Sequence, residues 1–128
     1  MTKTINSLLL ALLFVSGSAW AEWVKTAVNP NGDAYYIDPS TLGKDVNLRR
    51  VWSVIDLKKR DKGGDMSQRV RFEFDCKQAT VRILSMSTHS EAMAKGKTLL
   101  SFSVGDRDFA DAPPETPVFE IMKVVCAK

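Results

Sequence analysis

The sequence predicts an α+β domain: an antiparallel sheet of about six strands, with a C-terminal helix packed on one face and tethered by a disulfide. Three observations carry this. Val70-Arg71-Phe72-Glu73-Phe74-Asp75-Cys76 alternates apolar and charged residues, so Val70, Phe72, Phe74 and Cys76 share one face of a strand and Arg71, Glu73 and Asp75 the other. Val118 to Cys126 instead follows helical spacing, with Val118, Ile121, Met122 and Val125 in one stripe. The chain has 2 cysteines, Cys76 ending the strand and Cys126 ending the helix, so only one internal pairing exists.

At the N-terminus, Lys3, the apolar run Leu8 to Val15 and the small-x-small box Ala19-Trp20-Ala21 read as a secretory signal. Residues 1–21 are therefore expected to be removed, leaving residues 22–128 as one domain. The apolar run is too short to span a bilayer. Export out of the reducing cytosol favours a disulfide over a metal clip, and closing the loop from Cys76 to Cys126 should contribute about 4 kcal/mol through chain entropy. No cysteine lies near Ala21, so neither a lipid anchor nor a membrane span is expected, and the mature protein should be periplasmic or secreted. A net charge of +3 with both signs interspersed gives no support to nucleic acid as partner.

The elements follow in order. Glu22 to Val28, the turn cluster Asn29-Pro30-Asn31-Gly32-Asp33 and Ala34 to Asp38 form a hairpin, which Pro39 stops before a connection or single helical turn. Val46 to Leu57 is a long strand, Lys58 to Asp65 a solvated loop, and Met66 to Cys76 the returning strand. Ala79 to Thr88 and Lys97 to Val104 are two more strands, joined through a short capped turn at Ser90 to Gly96. Gly105 to Thr116 is irregular. Thr116-Pro117 then supplies an N-cap hydroxyl and a first-turn proline for the final helix.

Joining Leu57 to Met66 sets Arg50 opposite Glu73, and a tight turn at Lys77-Gln78 sets Glu73 opposite Arg82, giving a charge ladder. The same register places Val51, Phe72 and Ile83 on the inner face and sends Trp52, Arg71, Leu84 and Met86 to the outer one. Those four have the composition of a partner-binding patch, or equally of an ordinary sheet face with a cation–π pair.

Catalytic residues are not expected. Gly96-Lys97-Thr98 lacks the upstream glycine of a phosphate loop, since Glu91 stands there. His89, the only histidine, reads as a loop residue without an oriented nucleophile. Met86, His89 and Met93 carry ligand types that suit copper, but they read better as packing and loop residues, and no metal or cofactor is expected. Asp106, Asp108, Asp111 and Glu115 lack the order of a calcium loop.

With Trp23, Tyr35-Tyr36-Ile37-Asp38, Val51-Trp52, Glu73-Phe74-Asp75-Cys76, Arg82-Ile83-Leu84 and the closing Val125-Cys126 in place, the chain resembles the surface-adhesin protein E family of bacterial secreted proteins. The resemblance implies a six-stranded antiparallel sheet with a disulfide-tethered C-terminal helix. It also implies a binding protein without enzymatic activity, acting in adhesion to host extracellular-matrix and serum proteins. The adhesin type is held to the outer membrane by a lipidated cysteine, from which this chain departs. A soluble periplasmic accessory or stress-related protein with an envelope partner is the alternative. Either way the partner is expected to be a protein, of unidentified kind.

Overall fold

The computed structural model describes residues 21–104 and 107–128, so the signal segment up to Trp20 lies outside the described residues. Strands β1 (Val24–Val28) and β2 (Ala34–Ile37) form the first hairpin. Its turn is closed by Asn29 Nδ2 donating to Asp33 Oδ2 at 2.9 Å, and by Gly32 at φ +89°, where a Cβ would lie 2.7 Å from the Lys58 stem. After a 3₁₀ turn at Pro39–Thr41 come β3 (Gly43–Asp45), β4 (Leu48–Asp56), β5 (Ser67–Asp75) and β6 (Thr80–His89). A second 3₁₀ turn, Ala92–Ala94, leads to β7 (Thr98–Ser103) and β8 (Ala110–Asp111). Helix α1 (Pro117–Cys126) closes the chain.

The strands form one antiparallel sheet with the path β1-β2-β4-β5-β6-β7, to which β3 adds on β4 and β8 on β6. Among the described residues the sheet therefore has 8 strands where about six are expected, and the fold is sheet-rich. The additional two are short and carry Lys44, Asp45 and Asp111, so they give no apolar alternation to read. The strand expected from Val46 is broken at its start: Val46 and Asn47 are a two-residue turn between β3 and β4, with Val46 at φ 52°.

The centre of the sheet has the expected register, with Arg50↔Glu73, Val51↔Phe72, Phe72↔Ile83 and Glu73↔Arg82. The connection from β5 to β6 is longer than a tight turn. Asp75 pairs with Thr80 and the four residues Cys76–Ala79 lie between, held by Asp75 Oδ1 accepting from the N–H groups of Lys77 and Gln78.

Beyond Phe72 the register shifts by one residue, so Arg71 pairs with Ser85 and Val70 with Met86. Leu84 becomes the extra residue of a bulge. One expectation is corrected here: Met86 turns to the inner face, where it packs against the core, while Leu84 is left without a cross-strand partner on β5.

That inner face contributes Val51, Val70, Phe72 and Phe74 to a buried cluster with Ile37 and Ala112. Ile121, Met122 and Val125 of α1 belong to the same cluster. Phe72 and Phe74 pack with ring centroids 5.7 Å apart. Thr116 caps α1 by accepting from the Phe119 N–H, Pro117 occupies the first turn, and the Cys76–Cys126 disulfide joins the end of β5 to the helix C-terminus.

Candidate functional site

Register alone lays out the outer face as successive rows across the central strands. Arg50, Glu73 and Arg82 form the first row; Trp52, Arg71, Ser85 and Ser103 the second; Val54, Arg69, Ser87 and Ser101 the third; Asp56, Ser67, His89 and Thr98 the fourth. Directly paired residues share a face, so each row is a contiguous strip of side chains.

In the first row the Glu73 carboxylate is buried, with Oε2 2.5 Å from Arg50 Nε and Oε1 2.7 Å from Arg82 Nε. Burial pushes its pKa up, but the hydrogen bonds and charges of Arg82 and Arg50 more than offset this and hold the carboxyl below its ordinary value. Arg82 also lies over the Phe109 ring at 4.5 Å. These two guanidiniums are thereby occupied.

The second and third rows differ. Trp52 is fixed through its backbone where β4 loses β2 as a neighbour: its N–H donates to Thr41 Oγ1 at 3.0 Å and its carbonyl accepts from Asp38 N–H at 3.1 Å. The Arg69 guanidinium lies 4.0 Å from the Trp52 ring centroid and that of Arg71 6.0 Å. Neither arginine has a carboxylate partner within salt-bridge distance among the described residues. Beside them a trough of about 250 Å³ is lined by Trp52, Arg69, Ser85, Ser87, Ser101 and Ser103, with Met86 and Phe102 bordering it.

The fourth row is closed over. Met93 N–H donates to Asp56 Oδ1 at 2.9 Å, Ala94 N–H to Ser67 Oγ at 2.8 Å, and the Ser67 hydroxyl to Glu91 O at 2.6 Å. His89 is buried at the end of β6 rather than in a loop, because β5 and β7 both extend to flank it. Its Nε2 contacts Ser87 Oγ at 2.8 Å and its Nδ1 faces Thr98 Oγ1 at 3.5 Å. Burial, then the Arg69 charge, lowers its pKa, against a smaller upward pull from Asp65. A hydroxyl beside an imidazole is half of a nucleophilic pair, yet no carboxylate hydrogen-bonds Nδ1 among the described residues to orient the ring.

Of the sequence-predicted patch, Trp52 and Arg71 meet as a cross-strand pair, Leu84 is the unpaired residue of the bulge, and Met86 turns to the inner face. Met86 and His89 fall on opposite faces, so Met86, His89 and Met93 do not converge as a ligand set. Arg69, Ser85, Ser87, Ser101 and Ser103 lie outside that predicted patch. The signal that could have found them is Ser-x-Ser on two neighbouring strands, Ser85-Met86-Ser87 and Ser101-Phe102-Ser103.

A second recess, of about 270 Å³, lies at the other face between β6 and α1, lined by Phe72, Val81, Ile83, Ala110 and Val118 with Arg82, Arg107 and Asp108. Among the described residues no helix is long and apolar enough to cross a membrane.

Comparison with known proteins gives one family and one group of structures. The model of the family described as surface-adhesin protein E matches residues 23–127. No curated protein matches the chain. Crystal form II of Haemophilus influenzae protein E is similar at TM-score 0.62 and 18% identity, over 84% of this chain and 89% of that one. A second structure of Haemophilus influenzae protein E gives 0.61 and 17% over 84% and 86%. Protein E from non-typeable Haemophilus influenzae gives 0.59 and 16% over 87% and 79%. At these identities the structures speak to the fold.

Proposed function

The chain belongs to the surface-adhesin protein E family, and on that premise we propose that it is a non-enzymatic secreted binding protein whose outer sheet face engages host extracellular-matrix or serum proteins. Export through residues 1–21 is part of the same proposal, as is the seating of α1 on the Phe72/Phe74 face by Cys76–Cys126, which leaves the opposite face free. The observation that supports it is the pairing of Trp52 with Arg71, with Arg69 stacked on the same ring and no carboxylate within reach of either guanidinium among the described residues. Trp and Arg dominate the energetics of protein interfaces, and a tryptophan ring already stacked with Arg69 has less side-chain freedom left to lose when a partner arrives.

The test is binding of the mature protein to immobilised extracellular matrix and serum, against Trp52→Ala with its fold checked by circular dichroism. A loss of tenfold or more in affinity supports the reading, and unchanged binding removes the outer face from it. Cell fractionation separates adhesion from a role on an envelope partner: protein confined to the periplasm, with none at the surface or in the medium, would replace the adhesin reading by the periplasmic one.

A further inference from the structure

The second and third rows of the outer face have a chemistry more specific than a generic contact patch. Arg69 and Arg71 are two residues apart on β5, so their side chains leave the same face about 6.6 Å apart along the strand. Their guanidiniums are pure donors. Trp52 holds Arg69 against its ring at 4.0 Å, which fixes that guanidinium before any ligand arrives. Next to them stand two directly paired hydroxyl couples, Ser85 with Ser103 and Ser87 with Ser101. Serine hydroxyls both donate and accept.

We propose that this trough binds an anionic oligosaccharide, with sulfate or carboxylate groups at Arg69 and Arg71 and sugar hydroxyls along the four serines. The proposal rests on the adhesin reading and names the ligand class of that same face. Three features select this ligand. Guanidiniums without a carboxylate partner among the described residues call for oxyanions, and within these two rows no carboxylate faces them. The paired hydroxyls match neighbouring sugar hydroxyls, which also donate and accept, whereas a polyphosphate offers acceptors alone. At about 250 Å³ the trough is smaller than the roughly 300–1,000 Å³ of enclosed small-molecule sites, and it is open, so it suits a chain lying across the strands. Glu73 sharpens the arrangement by occupying Arg50 and Arg82, which concentrates the available positive charge at Arg69 and Arg71.

The experiment titrates the mature protein with four probes at one ionic strength: a sulfated hexasaccharide, a carboxylated hexasaccharide, a neutral hexasaccharide and inorganic polyphosphate of matched charge. Binding of either anionic saccharide at least tenfold tighter than the neutral one supports the proposal. Arg69→Ser/Arg71→Ser should weaken it at least tenfold. Ser101→Val/Ser103→Val, which leaves every arginine in place, should weaken saccharide binding at least threefold and polyphosphate binding not at all. Polyphosphate binding as tightly as the saccharides, indifference to the serine pair, or no binding of either anionic saccharide overturns it. If saccharides fail while matrix binding still depends on Trp52, the saccharide inference falls and the adhesin reading stands; if matrix binding is also independent of Trp52, both fall.

Discussion

Glu73→Gln tests the charge ladder at the centre of the sheet. The native carboxylate, 1% exposed, receives Arg50 on Oε2 and Arg82 on Oε1. Glutamine keeps the volume and one acceptor oxygen, but its amide turns N–H groups toward the other guanidinium, so one charge-assisted bond becomes a donor facing a donor. A hydrogen bond to a charged group contributes about 1.5–3 kcal/mol. Severing a fully buried pair costs about 3–5 kcal/mol, but Arg50 and Arg82 side chains are 37% and 28% exposed and can turn to water, which lowers the figure. The expected loss at pH 7 is about 2 kcal/mol, read as a lower urea midpoint at unchanged slope. The pH dependence adds a second readout. Because the folded carboxyl titrates below its ordinary value of 4.5, its stabilisation is complete above that value and is lost as pH falls through the lower folded value. Wild type should therefore shed this increment below about pH 4.5, and the variant should lack that part of its acid sensitivity. A variant within about 0.5 kcal/mol of wild type, a change ordinary for surface sites, or one with the same acid profile, would refute the reasoning.

Cys76→Ser/Cys126→Ser should lower stability by about 4 kcal/mol through the 50-residue separation it opens, and hydrogen exchange should show α1 losing protection first. Ser67→Ala, which removes a buried hydroxyl bonded to both Glu91 O and Ala94 N–H, should cost about 1–3 kcal/mol and speed amide exchange at residues 91–94. His89 has a lowered pKa in the fold, so the unfolded chain takes up protons first: its stability is complete above about pH 6.5 and declines as pH falls from there toward the folded value. His89→Gln should flatten that slope in a melting-temperature series, and an NMR titration midpoint at or above 6.5 would contradict it.

The centre of the fold is legible because its residues are marked twice. Glu73 between Arg50 and Arg82, and Phe72 between Val51 and Ile83, give the same register from charge and from apolarity. The edges are marked once or not at all. Strand β3 is Gly43-Lys44-Asp45, and the turn after it has a valine at positive φ where glycine or asparagine would have been the signal. The bulge at Leu84 carries no glycine either, so nothing in the sequence warns that the alternation changes phase there.

That single residue decides what the outer face is made of. Without it Met86 would face outward in the rows of Trp52 and Arg71; with it Met86 turns inward, Ser85 and Ser87 pair with Arg71 and Arg69, and those rows are cationic and hydroxylated. Arg69 is not marked in the sequence for a different reason. Its importance comes from stacking on Trp52, two positions along the neighbouring strand from Val54, its own cross-strand partner, a diagonal contact that spacing within one strand does not reveal.

The most direct test of the account is which face of the sheet binds. Two variants of the mature protein should be compared on immobilised extracellular matrix: Arg69→Ser/Arg71→Ser on the outer face, and Leu100→Ser, which alters an exposed apolar residue on the opposite face of β7. The account predicts binding weakened at least tenfold by the arginine pair and unchanged by Leu100→Ser, with both variants retaining the wild-type circular dichroism spectrum. Binding lost with Leu100→Ser and retained with the arginine pair would place recognition on the other face and contradict it.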